Sequence, residues 1–274
     1  MRQQLILVEL IMMVHWFGYG IHLMKRIRTL AKDINEHPVE ADVHALRVAV
    51  KQLNALVSML AYYNKDLDRH RLKKMRKLFH AAGILREWQL LDKRISGHHP
   101  VYEEAALRIH KEIQLAYAQF RHHYKCTGKS YFKDTGQYLQ SFYKKASKLN
   151  LGVYFNHKEE DLKSALNNEN QSSKRFHKVR MLLKELKYNV AAVNIMADGA
   201  IPRLHDLHFL NQCDKLLGNW HDLQVVVNQL DILDNETTMS GNAKAQLLQL
   251  KENAAKKADE ILNQFIHDMH QLSK

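Results

Sequence analysis

Apolar positions recur along most of this chain at intervals of three and four residues, the spacing that turns one face of an α-helix toward a core. The pattern becomes regular after His37-Pro38, where the proline closes one segment and a helix opens near Val39 to Asp42 and runs to about Tyr63. Further helical runs are expected over Asp66–Ile95, Val101–Lys125, Gln137–Leu149, Lys174–Ala197, Arg203–Leu233 and Ala243–Leu272. Ser96 to Pro100, the polar run Asn167–Ser173, the pair Gly199 and Pro202, and Asn235–Asn242 read as the breaks between them. Cys126–Gly136 reads as a looser stretch. No run alternates with period two, so the expectation is an all-α fold.

Composition supports this reading. Ten Gly and three Pro in 274 residues are too few for the turns of a sandwich or barrel. An apolar content of 46% excludes wholesale disorder. Two cysteines, Cys126 and Cys213, build neither a disulfide framework nor a four-thiolate zinc site, and a cytoplasmic protein is expected. Leu10–Met24 carries no charged residue, but its fifteen positions fall short of the roughly 20 that a spanning helix needs. Residues 1–23 are therefore read as a packed helix, or as an extension ahead of a start at Met24, and no integral membrane association is expected.

Two motifs recur in order. The segment His44 to Leu53 aligns with His177 to Leu186, and Gly83 to Gln89 with Gly218 to Gln224, at offsets of 133 and 135 residues. Duplicated halves of about four helices each follow, over about 25–149 and 158–274. On a helical wheel, His44, Arg47 and Lys51 fall within about 60° of one another, opposite Leu46, Val50, Leu53, Val57 and Leu60. The second copy places His177, Arg180, Lys184 and Lys187 opposite Val179, Leu183, Leu186, Val190 and Val193. Each helix thus buries one face and presents a stripe of cations and a histidine from the other.

Charge gives the stripes a meaning. Forty-one Lys and Arg against 29 Asp and Glu leave a net charge of +12, with 18 His in addition. Such a field attracts polyanions. A solvated helix face is usually laced with acids four residues from its cations, whereas these stripes have only Glu185, set to one side. Two stripes converging on one groove suit a phosphate chain, which Arg engages with a planar fork and Lys with a point charge. Further candidates are Arg86, His221, Lys74, Lys77 and Arg175. His-Asp dipeptides at 205, 221 and 267 raise metal-dependent phosphohydrolysis as an alternative, but only His205 and His208 share a face. No phosphate-binding glycine loop, metal-ligand set, cofactor motif or activated nucleophile is found. General nucleic-acid binding is the other alternative. Against it, the stripes lack base-reading amides and stacking aromatics, Asn54 and Tyr188 excepted.

The repeated His-x-x-Arg…Lys motif and the two Gly-x-x-[Arg/His]-[Asp/Glu] turns resemble those of the CHAD domain, the conserved-histidine α-helical domain, over residues 25–274. Glu87 and His221 depart from its usual Asp and Arg. The resemblance implies two pseudo-symmetric four-helix bundle repeats in one domain around a basic central groove. It also implies binding of inorganic polyphosphate and association with polyphosphate granules; no catalysis is expected, and a polyphosphate-metabolising enzyme is a candidate partner. By that resemblance His44, Arg47, Lys51, His177, Arg180, Lys184 and Lys187 are the ligand-binding positions.

Overall fold

The computed structural model describes residues 2–96, 102–143, 151–167, 172–197, 207–236 and 240–272. The described residues form nine α-helices, one 3-10 turn and no strand: α1 (Arg2–Glu36), α2 (Glu40–Tyr63), η1 (Arg69–Leu72), α3 (Lys73–Ile95), α4 (Glu103–Thr127), α5 (Lys129–Tyr143), α6 (Leu151–Leu166), α7 (Ser173–Ala197), α8 (Leu207–Glu236) and α9 (Gly241–Leu272). The fold is all-α, as its hydrophobic period requires.

Most boundaries follow local chemistry. Pro38 separates α1 from α2, and the first turn of α2 carries Glu40 and Asp42, which favour a helix N-terminus. Three elements differ from expectation. The run expected over Asp66–Ile95 is broken, because the Asp68 carboxylate accepts from His70 N at 2.8 Å and caps η1 before α3 begins at Lys73. The stretch read as loose, Cys126–Gly136, is largely helical. Gly128 alone turns the chain, at φ 77°, a left-handed conformation that glycine adopts without a Cβ penalty. From Lys129 onward Phe132, Thr135, Leu139 and Phe142 are all buried on one face, which holds α5 together despite Gly136. Third, α6 has no counterpart among the expected helices; it is anchored by buried Tyr154, Phe155 and Ala165. The expected breaks at Ser96–Pro100 and Gly199–Pro202 lie mostly or wholly outside the described residues, as does the second half of the run expected over Gln137–Leu149.

Residues on either side of Met24 belong to one continuous α1, whose C-terminal part buries Leu23, Met24, Ile27, Ala31 and Ile34. Among the described residues no helix is long and apolar enough to cross a membrane.

The chain divides into two compact units, Met1–Phe79 with His123–Asn211, and His80–His122 with Gln212–Lys274. In the first, α1 packs against α2, α5 and α7, while α7 also packs against α2 and α6. A buried polar relay fastens three of these helices. Asn189 Nδ2 donates to Ala55 O at 3.1 Å and to Tyr154 Oη at 2.9 Å. Tyr154 in turn donates to Glu185 Oε1 at 2.8 Å, and Lys158 Nζ lies 3.0 Å from the same oxygen. In the second unit Trp88, Leu91, Phe120, Leu217, Trp220 and Phe265 are buried. There Gln229 Nε2 donates to Glu87 Oε2 at 3.2 Å, and Ser240 N to Glu104 Oε2 at 3.0 Å.

Core position, not leucine content, sets mutational cost. Leu53→Ala, at a site with no exposure, is expected to lower unfolding free energy by about 2–5 kcal/mol in denaturant titration. Leu107→Ala, at 72% exposure, should stay within about 0.5 kcal/mol of the parent. Equal losses for the two would contradict this packing.

Candidate functional site

The stripes arise because α2 and α7 each spend one face on the core of the first unit. Leu46, Val50, Leu53, Val57 and Leu60 on α2, and Val179, Leu183, Leu186, Val190 and Val193 on α7, are all buried. The remaining surface of each helix carries the cations. His44 is exposed, and Arg47 and Lys51 are half-buried on α2. On α7 His177 is exposed and Lys184 and Lys187 are half-buried. Arg180 departs from the helical-wheel expectation of an open position, being only 6% exposed.

Arg47 is fixed from below. Its Nη1 donates to Phe79 O at 3.3 Å, and the guanidinium stands 4.7 Å from the centre of the Phe79 ring. A carbonyl and an aromatic face orient the fork while leaving its charge uncompensated by these two contacts. The His177 pKa is held below the ordinary 6.5, first by partial desolvation and then by the positive charges of Arg180 and Lys51. Lys51 belongs to α2 and His177 to α7, so the two stripes come close enough to act on each other. Glu185, the acid beside the second stripe, is engaged by Tyr154 and Lys158 of α6.

The further candidates separate into different roles. Arg175 closes α6, donating from Nε to Ala165 O at 3.0 Å and from Nη2 to Leu166 O, which satisfies carbonyls at that helix end. Lys74 and Lys77 are exposed on α3 in the first unit, and Lys74 Nζ donates to Thr127 O at 3.3 Å. Arg86 and His221 are half-buried in the second unit. The acids that follow them are also placed there: Glu87 accepts from Gln229, and Asp222 lines a cavity of about 480 Å³ with Leu223 and Lys257. Sequence reasoning passed over Arg69 and Arg71, exposed cations in η1 whose signal is the density of Lys and Arg over residues 65–77.

Among the described residues no group of three or more His, Cys, Asp or Glu side chains is placed to hold a metal ion. His205 and Asp206 lie outside the described residues. Tyr188, the stripe aromatic suited to stacking on a base, is buried at 9% exposure, and Asn54, the stripe amide suited to a base edge, is exposed.

Residues 22–231 match the family model of the CHAD domain. The fold is similar to the crystal structure of the CHAD domain from the plant Ricinus communis, at 16% identity and a TM-score of 0.68, over 93% of this chain and 91% of that one. It is also similar to PptA from Streptomyces chartreusis, at 13% identity and a TM-score of 0.64, over 92% of this chain and 98% of that one. At these identities the likeness is one of fold. No curated protein matches the sequence.

The proximity of Lys51 to His177 is open to direct measurement. In an NMR titration the His177 ring should change charge below pH 6.5, and Lys51→Gln should move that midpoint upward. Because the folded chain binds this proton less readily than the unfolded chain, the His177 contribution should lower stability as pH falls below 6.5. An unmoved midpoint in Lys51→Gln would mean that the stripes do not share a field.

Proposed function

Because the chain belongs to the CHAD domain family, we propose that it is a non-catalytic binder of inorganic polyphosphate, which it grips along the cationic stripes of α2 and α7. The observation that carries this reading is the gathering of Lys51, His177 and Arg180. Like charges brought together raise the free energy of the empty protein, and a polyanion laid between them relieves that cost. The register of the helices supports the same reading. Asn189 of α7 bonds to Ala55 of α2, 134 positions away and close to the repeat offset, a contact that agrees with reading the two motif helices as related partners. On this reading the duplicated motif would supply the two walls of one groove.

Binding draws on the sum of several contacts. Arg47 and Arg180 offer planar donors, Lys51, Lys184 and Lys187 add point charge, and His44 and His177 contribute when protonated. A phosphate chain beside His177 counters the local cations and favours its charged form, so binding takes up a proton. Burial of Tyr188 removes a base-stacking surface and supports a ligand without bases. Association with polyphosphate granules is the cellular corollary.

The test is competition among long-chain polyphosphate, duplex DNA and single-stranded RNA at matched phosphate concentration across a salt series. The variant is Lys51→Gln/Lys184→Gln/Lys187→Gln, which spares the packed Arg47 and Arg180. Polyphosphate should win, and the folded variant should bind at least about tenfold more weakly, as expected from contacts worth roughly 1 kcal/mol each. Affinity should rise as pH falls from 7.5 to 5.5, and His177→Gln should flatten the rise. Equal binding of all three polymers, together with a variant indistinguishable from wild type, would return the stripes to ordinary solvated faces.

A further inference from the structure

Residues 65–77 hold seven Lys and Arg against two Asp, so thirteen positions supply five of the twelve net positive charges of the chain. Arg69, Arg71, Lys73, Lys74, Arg76 and Lys77 are all exposed. Among the described residues none of the six forms an ion pair. Stability does not account for this concentration. The first turn of α3 has no acid, whereas those of α2 and α4 carry Glu40 and Asp42, and Glu103 and Glu104. Cations crowded at that end repel one another and oppose the helix dipole.

The segment is nevertheless held in one shape. Asp68 N donates to Tyr138 Oη at 2.6 Å, and Met75 N donates to Tyr131 Oη at 3.2 Å. Tyr131 donates onward to Arg71 O at 2.9 Å, and Arg76 Nη2 reaches Arg69 O at 3.0 Å. The same tyrosines support the charges: the Arg71 guanidinium lies 4.3 Å from the Tyr138 ring centre, and Lys74 Nζ 5.8 Å from that of Tyr131. Aromatic faces orient a cation without neutralising it, and groups already in place lose little entropy when a ligand arrives. This elbow also adjoins the α2 stripe, since Phe79, two turns into α3, is the residue on which Arg47 rests. The rise from Lys73 to Phe79 is about 9 Å.

We propose that the Arg69–Lys77 elbow is a second contact site for the same phosphate chain, reached only by a polymer long enough to run off the α2/α7 stripes, so that it sets a preference for long chains. This rests on the polyphosphate reading above. A short oligophosphate is satisfied by the stripes; a long one continues past Arg47 along α3 and gains the elbow cations.

The experiment is calorimetric titration of the full chain with tripolyphosphate and with long-chain polyphosphate, for wild type, for Arg71→Gln/Lys73→Gln/Lys77→Gln, and for the stripe variant. Lys74 and Arg76 are spared because both brace the backbone. The elbow variant should bind the long chain about tenfold or more weakly and tripolyphosphate as wild type does, and its long-chain salt slope should fall by about 2, as loss of three phosphate contacts requires. The single Lys77→Gln, checked by thermal melting like the triple variant, should show a smaller loss of the same kind. An elbow variant that binds long chains like wild type, or loses both ligands equally, overturns the second site while leaving the stripes intact. Wild type that binds neither polymer overturns the polyphosphate reading and this inference with it.

Discussion

The burial of one face each of α2 and α7 is the constraint from which the rest of the first unit follows. Ten aliphatic side chains leave water along these two helices, at roughly 1.5–3 kcal/mol each by transfer bookkeeping. Once they do, the remaining faces have no choice of position. The stripe residues sit where the helical period puts them, and Lys51 lies within electrostatic reach of His177 because the hydrophobic seam draws their helices together. Electrostatic tension at the surface is sustained by apolar packing beneath it.

That tension distinguishes the basic character of this chain from a generic surplus of lysine. A surface laced with alternating charges gains a little from each pair. The stripes and the elbow instead gather one sign and orient it with carbonyls, rings and backbone clamps. Glu185, which lies near enough to quench the second stripe, is engaged by Tyr154 and Lys158. The acid beside the second stripe is thus tied to α6 by a phenol and an ammonium group.

The helical wheel made the stripes and their apolar backing readable before any coordinates, because both depend on angle within one helix. It missed the depth of Arg180, since burial depends on which neighbours cover a position and a wheel contains no neighbours. The start of α5 was hidden for a related reason. Gly128, Gly136 and the polar residues between them resemble a loop by composition, and only the common burial of Phe132, Thr135, Leu139 and Phe142 shows what holds the helix. The elbow was half legible: the density of cations from Lys65 to Lys77 was plain, but Tyr131 and Tyr138 brace it from more than fifty residues away. The repeat offset, by contrast, was arithmetic on the sequence alone.

The relay through Asn189, Tyr154 and Glu185 ties α6 to α2 and α7 through buried polar groups. Burial, and after it the adjacent Glu185 carboxylate, push the Tyr154 phenol far above its ordinary range, so it keeps its proton through all physiological conditions. The phenol that fastens α6 to α2 and α7 therefore keeps one charge state over the acidity range in which His177 responds. A chain built this way assigns the titrating imidazole and the helix-joining hydroxyl to different side chains.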